Sequence, residues 1–600
     1  MSTSLFKQRL RILGRALRWI PGIALAGPNS KRSAADLIER AARRHPDRVF
    51  VRFEGESRSY RDYNASANRI AHWALERGIG KGDVVALLMG NRPEYLEVWA
   101  GLAKVGATSA LLNTNVRGKA LADVLEASGC KALLLGSECV DAWASVGLER
   151  PASLDVLVVD DPRRPPVPLP SSTKSFEEET ACYSDKNPLR SVRSDLCGAD
   201  PLFHIYTSGT TGLPKAARFS HARFMGGGLY SLLSGMTGRD TLYCALPLYH
   251  TVGGVMCVNA VLRSGGTLAL ARRFSASRFW RDVVEMKATG FQYIGELCRY
   301  LLASPPSDDE AQHEIRFCVG NGLRPDIWQA FQERFGIPHI TEFYGATESN
   351  VSLANLEGRV GSVGRPAPGT PVALVRWDVQ GEAHPRTAAG HCIAAEVGEP
   401  GELLGKISEG RTAAGRFEGY TNPEATEKKI LRDVFEDGDA WFRSGDLLRR
   451  DEAGFYYFVD RLGDTFRWKG ENVSTQEVAE ALTRDPSIEL APVYGVEIPG
   501  CEGRAGMAAL VLKGASFDAK ALYAHIAEAL PSYARPAFLR IQPQAQLTGT
   551  FKVRKVELEA EGFDPGRMAD PLYYRNDTAR TYAPLTPKAL TAIRSGDLKF

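Results

Sequence analysis

Hydroxyls, glycines and one lysine crowd into the segment Tyr206-Thr-Ser-Gly-Thr-Thr-Gly-Leu-Pro-Lys215. Gly209 and Gly212 let the backbone turn tightly and present its N–H groups to an anion. Thr207, Ser208, Thr210 and Thr211 add hydroxyl donors, and Lys215 adds a mobile positive charge. An apolar run precedes the segment, so the chemistry it suits is the binding of triphosphate oxygens at the end of a strand. It is not a Walker loop, which needs its lysine directly after the second glycine and a helix directly behind. Leu213 and Pro214 intervene here. The plainer alternative is a flexible, hydroxyl-rich hairpin.

Further segments carry groups that a nucleotide would use. In Tyr344-Gly-Ala-Thr-Glu-Ser349 the face of Tyr344 can stack on an adenine and Gly345 lets the backbone come close. Thr347 can donate to a phosphate, and Glu348 supplies a hard oxygen ligand for Mg²⁺. Taken alone, this segment also reads as a surface turn. Gly320-Asn321-Gly322 follows a predicted strand, Ile315–Val319, and two glycines allow contact with a flat ring, or simply a strand-to-loop turn. Ser444-Gly-Asp446 lies between a predicted strand at Trp441–Arg443 and a turn at Gly454. The Asp446 carboxylate can accept from both ribose hydroxyls. Arg461, fifteen residues on, can reach ribose or phosphate. His250, in Leu246-Pro-Leu-Tyr-His250, could be a general base. A carboxylate substrate is already nucleophilic at neutral pH, however, so positioning or pocket lining suits His250 better.

The glycine-rich loop resembles the phosphate-binding signature of the adenylate-forming enzymes, which include acyl-CoA synthetases, adenylation domains and luciferases. Asp460-Arg-Leu-Gly-Asp-Thr-Phe-Arg-Trp-Lys-Gly-Glu-Asn-Val-Ser-Thr475 resembles the fatty acid transport protein and very-long-chain acyl-CoA synthetase branch, as do Tyr494–Met507 and Glu561–Pro565. The similarity runs from roughly Ala35 to the C-terminus. It implies Tyr344 and Gly320–Gly322 at the adenine, Thr347 at the α-phosphate, Glu348 with Thr207 around Mg²⁺, and Asp446 with Arg461 at the ribose. His250 would border the acyl site. Leu547-Thr-Gly-Thr-Phe-Lys552 resembles the segment carrying the catalytic lysine, which assigns that role to Lys552, with Lys555 as the alternative because Phe551 stands where a glycine is usual. A lysine suits the step, since carboxylate attack on the α-phosphorus joins two anions and a point charge between them offsets the repulsion.

The resemblance also implies two half-reactions in one site, with the C-terminal domain swinging between them. The pivot falls at Leu462-Gly463-Asp464, where Gly463 replaces the charged residue of many relatives and lowers the barrier to backbone rotation. After the swing Trp468, Lys469 and Gly470 would face the acyl-adenylate, Gly470 leaving room for pantetheine. Ser474-Thr-Gln-Glu477 reads as a capping box for the helix that follows. ATP and CoA are then co-substrates, and a long or very long fatty acid is the acid. A carrier-protein phosphopantetheine as acceptor, or membrane-linked fatty acid uptake, are the rival functions.

These groups need elements to hold them. From Ala35 to about Asp160, short apolar runs at Val84–Met89, Ala107–Leu112, Lys131–Leu135 and Leu154–Val159 alternate with helical periods at Glu94–Lys104 and Ala120–Ala127. That alternation predicts a parallel sheet of βαβ units. Asp161–Thr173, with five prolines, reads as a connector. A second α/β stretch has strands near Leu202–Tyr206, Thr241–Leu246, Thr267–Leu270, Phe291–Ile294 and Ile315–Val319, and from Thr465 a smaller α+β unit begins. The predicted fold is α/β: a large N-terminal domain of α/β subdomains over residues 31–462 and a smaller mobile α+β C-terminal domain over 463–600. An N-terminal segment, 1–30, stands apart.

Six hundred residues exceed one hydrophobic core. Apolar content of 44% and charged content of 24% are those of an ordinary globular chain, and a net charge of +3 offers no field for nucleic acid. Ten cysteines never fall in a C-x-x-C pair, which predicts reduced thiols in the cytoplasm. Residues 1–20 carry five basic and no acidic side chains, with Phe6, Leu10, Leu13, Leu17 and Ile20 on one helical stripe. Such a helix could lie on the inner face of a membrane, or pack on its own domain with a solvated basic face.

Overall fold

The computed structural model describes Gly14 and residues 27–600, apart from 150–153, 169, 171–172, 208–214, 230–232, 368–369, 409–414, 502, 515 and 548–552. The N-terminal stripe, Ser208–Gly212 and Lys552 therefore lie outside the described residues. Contacts divide the chain into two units: Met1–Pro371 with Gly405–Ile430, and Val372–Leu404 with Leu431–Phe600.

In the first unit the apolar runs are strands covered on both faces, the pattern that a parallel sheet demands. Val84–Leu88 and Ala132–Gly136 are buried along nearly their whole length. They sit in a seven-stranded sheet ordered Lys174–Ser175, Asp155–Val159, Ala132–Gly136, Val84–Leu88, Thr108–Leu111, Pro201–Thr207, Lys215–Ser220. Every pair is parallel except the last. A nine-stranded sheet runs Arg365–Pro366, Ser352–Asn355, Ile340–Gly345, Phe317–Asn321, Gly290–Ile294, Thr241–Cys244, Thr267–Leu270, Val49–Phe53, Glu56–Ser59, parallel in the middle and antiparallel at both ends. Helix Pro93–Val105 starts on Pro93 and stops at Gly106, whose φ of 79° no β-branched residue would tolerate. It is buried along almost all its length, and Trp99 packs edge-on against Phe203 and Phe224.

The predicted strand at Ile315–Val319 begins later, at Phe317, and runs on to Asn321, so Gly320 and Asn321 are strand residues rather than a following loop. Their backbones pair with Tyr293 and Ile294 of the neighbouring strand, and this extends the ladder beyond the apolar run that marked it.

The second unit is smaller and mostly antiparallel, giving a mixed α/β protein with a large N-terminal body and a smaller C-terminal one. A five-stranded sheet joins Val372–Val375, Gly401–Lys406, Ala440–Arg450 and Ile430–Arg432, with Tyr456–Arg461 paired to Ala440–Arg450. A six-stranded sheet follows around Ala505–Leu512 and Phe538–Gln542, covered by helices Thr475–Thr483 and Ala519–Ala529. Only half of the expected capping box at Ser474 forms. The Ser474 hydroxyl accepts from the Glu477 N–H at 3.3 Å and donates to the Val459 carbonyl at 3.0 Å, with no return bond from Glu477. All ten cysteines are free thiols. Among the described residues no helix is long and apolar enough to cross a membrane.

Candidate active site

The strand Pro201–Thr207 pairs antiparallel with Lys215–Ser220, with Thr207 opposite Lys215. A hairpin, not a strand-to-helix junction, thus carries the glycine-rich loop. This is the physical difference from a Walker loop, which runs from its strand directly into a helix N-terminus. The Thr207 hydroxyl lies 3.4 Å from the Lys215 carbonyl.

The edge strand after the loop is met by a segment that the sequence did not single out. Arg218 N–H donates to the Gly419 carbonyl at 3.0 Å and Thr421 N–H to the Ala216 carbonyl at 2.9 Å, which bridges Tyr420 to Ala217. The Ser220 hydroxyl donates to Glu418 at 2.5 Å. Tyr420, 4% exposed, sends its hydroxyl to Glu348 Oε1 at 3.0 Å, close to the Thr207 side chain. Burial first, then the nearby Glu348 charge, keep this phenol protonated far above the usual tyrosine range. Its sequence signal was slight: Gly419 at φ 68° and the Asn422 cap before Pro423 mark a turn, and nothing marks the partner.

Strand Ile340–Gly345 delivers Tyr344, and the turn after it presents Thr347 and Glu348. Thr347 shares a hydrogen bond of 2.8 Å with Thr251. Thr251 opens the π-helical turn Thr251–Cys257 directly behind His250, whose ring lies 4.6 Å from that of Tyr249. Gly253 and Gly254 are required there, since a Cβ on either would strike the carbonyls of Pro247 or Leu248. From below, Arg223 donates to the Ser349 carbonyl at 2.9 Å. The site thereby draws together Thr207, the adjacent Thr347 and Glu348, and Tyr420 from three stretches of sequence.

Beside them, a Cβ on Gly320 would strike the Tyr293 ring, so this strand end admits only glycine. The Asn321 side-chain oxygen is buried without a partner among the described residues. An orphan acceptor of this kind fits a ligand donor such as an exocyclic amine. The loop is held by Glu342, which accepts from Tyr293 Oη at 2.5 Å and from the N–H groups of Gly322 and Leu323. Burial outweighs those three bonds and pushes the Glu342 carboxyl up to about 8. A folded-state value above the unfolded one means the favourable contribution is full below the ordinary carboxylate range and erodes as pH climbs to about 8. Glu342→Gln, which keeps the shape, is therefore expected to gain melting temperature over the parent at pH 8.5 and to match it near pH 5. Differential scanning fluorimetry across that range tests this, and a pH-independent difference would contradict it.

The remaining groups lie on the second unit. Asp446 and Arg461 face each other across the antiparallel pair Ala440–Arg450 and Tyr456–Arg461, with Arg461 Nε 3.6 Å from Asp446 Oδ1. The fifteen-residue spacing is thus a hairpin register. Ser444–Asp446 does not follow the strand as expected but lies inside it, with Gly445 at φ 79° bending the ladder. Glu402, fully buried, fixes this bend. It accepts from Gly445 N–H at 3.0 Å, Arg443 Nη2 at 3.1 Å and His384 Nε2 at 2.6 Å. Burial raises the Glu402 carboxyl, but the His384 and Arg443 contacts outweigh it and hold the group below its ordinary range. A lone acid in the apolar run Gly401–Lys406 was the signal that could have found it.

At the predicted pivot a Cβ on Gly463 would meet nothing, and its φ is not left-handed, so glycine there is not imposed by this conformation. Lys469 and Gly470, at φ 53° and 84°, form the tip of the hairpin Phe466–Trp468/Glu471–Val473. Two left-handed residues in a two-residue loop match the right-handed strand twist. Trp468 is not at that exposed tip. Strand alternation turns it inward with Phe466 into the core of the second unit. Lys555, the alternative to Lys552, donates to Asp464 Oδ2 at 2.8 Å and to Thr475 Oγ1 at 3.0 Å.

The Glu348 carboxylate and Thr207 hydroxyl are hard oxygen donors suited to Mg²⁺, which is usually held by one or two carboxylates plus substrate phosphates. Among the described residues no cluster of three or more His, Cys, Asp or Glu makes a self-sufficient metal cage.

A glycine-rich segment between two antiparallel strands, an unpartnered Asn321 oxygen at a glycine-only strand end and a carboxylate held by a buried tyrosine fit a nucleotide-using α/β enzyme. Comparison with known proteins gives its family. The AMP-binding enzyme profile matches residues 38–407 and the AMP-binding enzyme C-terminal domain matches 477–552, and the chain belongs to this family. It is 43% identical over 571 residues to long-chain fatty acid transport protein 1 of Homo sapiens, covering 93% of this chain and 87% of that one. It is 41% identical over 566 residues to a medium/long-chain-fatty-acid–CoA ligase of Mycobacterium tuberculosis, covering 93% and 91%. Among solved structures, an anthranilate CoA ligase in complex with anthranoyl-AMP superposes with a TM-score of 0.74 at 21% identity, covering 88% of this chain and 97% of that one.

Proposed function

We propose that this protein is an AMP-forming long-chain fatty acid–CoA ligase. The fatty carboxylate attacks the α-phosphorus of ATP and expels pyrophosphate. The CoA thiol then attacks the acyl carbon and expels AMP. The observation that carries this reading is the convergence on Glu348 of Tyr420, pinned to the strand that follows the glycine-rich segment, with Thr207 at the end of the strand before it.

In this assignment residues 207–215 hold the triphosphate, Asn321 and Tyr344 the adenine, and Asp446 with Arg461 the ribose. Thr207 and Glu348 hold Mg²⁺, which supplies charge neutralisation on the phosphates when bound. Lys552 bridges carboxylate and α-phosphate. His250 and the glycines behind it wall the acyl site. A domain boundary at 462/463, with a C-terminal domain that pivots at Gly463, accounts for two half-reactions in one site. The fatty acid assignment rests on the identity to the transport proteins and the mycobacterial ligase.

An ATP–pyrophosphate exchange panel across acyl chain lengths, with CoA as the only thiol in the product assay, tests the reading. Exchange that peaks with C14–C20 acids and yields acyl-CoA is expected. Exchange without any acyl-CoA would transfer the acceptor role to a carrier protein. Fatty acid uptake, where it occurs, would follow from trapping as the thioester.

We also propose that residues 1–20 dock peripherally on anionic membrane. Deleting residues 1–28 is expected to lower co-sedimentation with phosphatidylserine liposomes by at least tenfold at low salt. Binding that survives the deletion undiminished would refute it.

A further inference from the structure

We propose that Tyr420 is a positioning residue for the metal-binding carboxylate, an inference that rests on the assignment of Glu348 and Thr207 to Mg²⁺. Three observations bear on it. The Tyr420 backbone is pinned to the strand just beyond the anion loop by the hydrogen bonds of Arg218 and Thr421, and its own N–H donates to Thr426 at 2.9 Å. The ring is packed against Ala217 and Ala425, so it cannot swing. From that fixed base the hydroxyl reaches the carboxylate of the turn after Gly345, at 3.0 Å.

The donor inventory gives the arrangement a direction. A carboxylate only accepts, so Tyr420 spends its single proton on Glu348 Oε1. Thr207, at the end of the neighbouring strand, has its own acceptor in the Lys215 carbonyl at 3.4 Å. Glu348 Oε2 has no partner among the described residues. Tyr420 thus ties up one oxygen of Glu348 and leaves the other as a free acceptor. Ring packing alone would be served as well by phenylalanine; the hydroxyl is what orients the carboxylate. Outer contacts of this sort typically set metal affinity within a 10- to 100-fold range.

The test is a double-mutant cycle of Tyr420→Phe and Glu348→Gln on the full chain. Free Mn²⁺ is read by EPR in the presence of a non-hydrolysable ATP analogue, alongside the Mg²⁺ dependence of adenylation. Tyr420→Phe is expected to weaken Mn²⁺ binding and raise the apparent Mg²⁺ requirement by about tenfold. The adenylation rate should recover at saturating Mg²⁺, and thioester formation from supplied acyl-adenylate should be unaffected. In the Glu348→Gln background the same substitution should have no further effect, because it acts through that carboxylate. If Glu348→Gln weakens Mn²⁺ binding while Tyr420→Phe does not, the role of Tyr420 is overturned. If Glu348→Gln itself leaves Mn²⁺ binding intact, the metal assignment fails instead.

Discussion

Replacing Lys552 with alanine is expected to slow acyl-adenylate formation by about 10²- to 10³-fold while leaving CoA transfer from supplied acyl-adenylate within about twofold. The magnitude follows from the step. Two anions approach in adenylation, and a cation between them acts only where charge accumulates in the transition state. Thioester formation has no such anion pair, so it does not need the same lysine. The matched control is Lys555→Ala. Lys555 is already committed to Asp464 and Thr475, contacts that join the segment after Gly463 to the start of helix Thr475–Thr483. Its loss should lower melting temperature and leave the adenylation rate within about fivefold. Half-reaction kinetics on both variants separate the two lysines. A Lys552→Ala enzyme impaired equally in both half-reactions would refute its assignment, and a larger adenylation defect in Lys555→Ala would exchange the two roles.

The second large effect is on stability. Glu402→Ala should cost about 3 kcal/mol, because it leaves Arg443 without its counter-ion and the half-buried His384 and Gly445 donors without their acceptor. Denaturant unfolding measures it, and a loss under 1 kcal/mol would mean the network relaxes. The pH dependence has a definite sign. Glu402 is held below the ordinary carboxylate range, so its contribution is present above the unfolded value and disappears as pH falls through the folded one. The gap between the parent and Glu402→Gln should therefore shrink on acidification below about pH 4. The variants should also bind ATP less tightly, since Glu402 fixes the Gly445 bend next to Asp446.

Several of these residues could not be found from their own surroundings. Glu342 and Glu402 each sit in apolar strand runs, Ile340–Gly345 and Gly401–Lys406, where the sequence offers an acid and no hint of what neutralises it. Their partners are Tyr293 and loop amides in one case, and His384 and Arg443 in the other. Trp468 sits one position from the hairpin tip, and only strand parity turns it into the core. Tyr420 reads as an aromatic after a glycine until the strand beside it is known.

By contrast, the class of enzyme was legible in the linear chain. An anion loop is built by its own glycines and hydroxyls, a hairpin register by the spacing of Asp446 and Arg461, and a parallel sheet by short apolar runs between helical periods. Such features are local: a residue's backbone freedom and side-chain chemistry act over a few positions, so a window of sequence contains them. What only the tertiary structure decided was which distant groups share a proton or a charge. Hydrogen-bond pairing across hundreds of residues depends on strand order and packing, and it was packing that brought Tyr420 between Thr207 and Glu348.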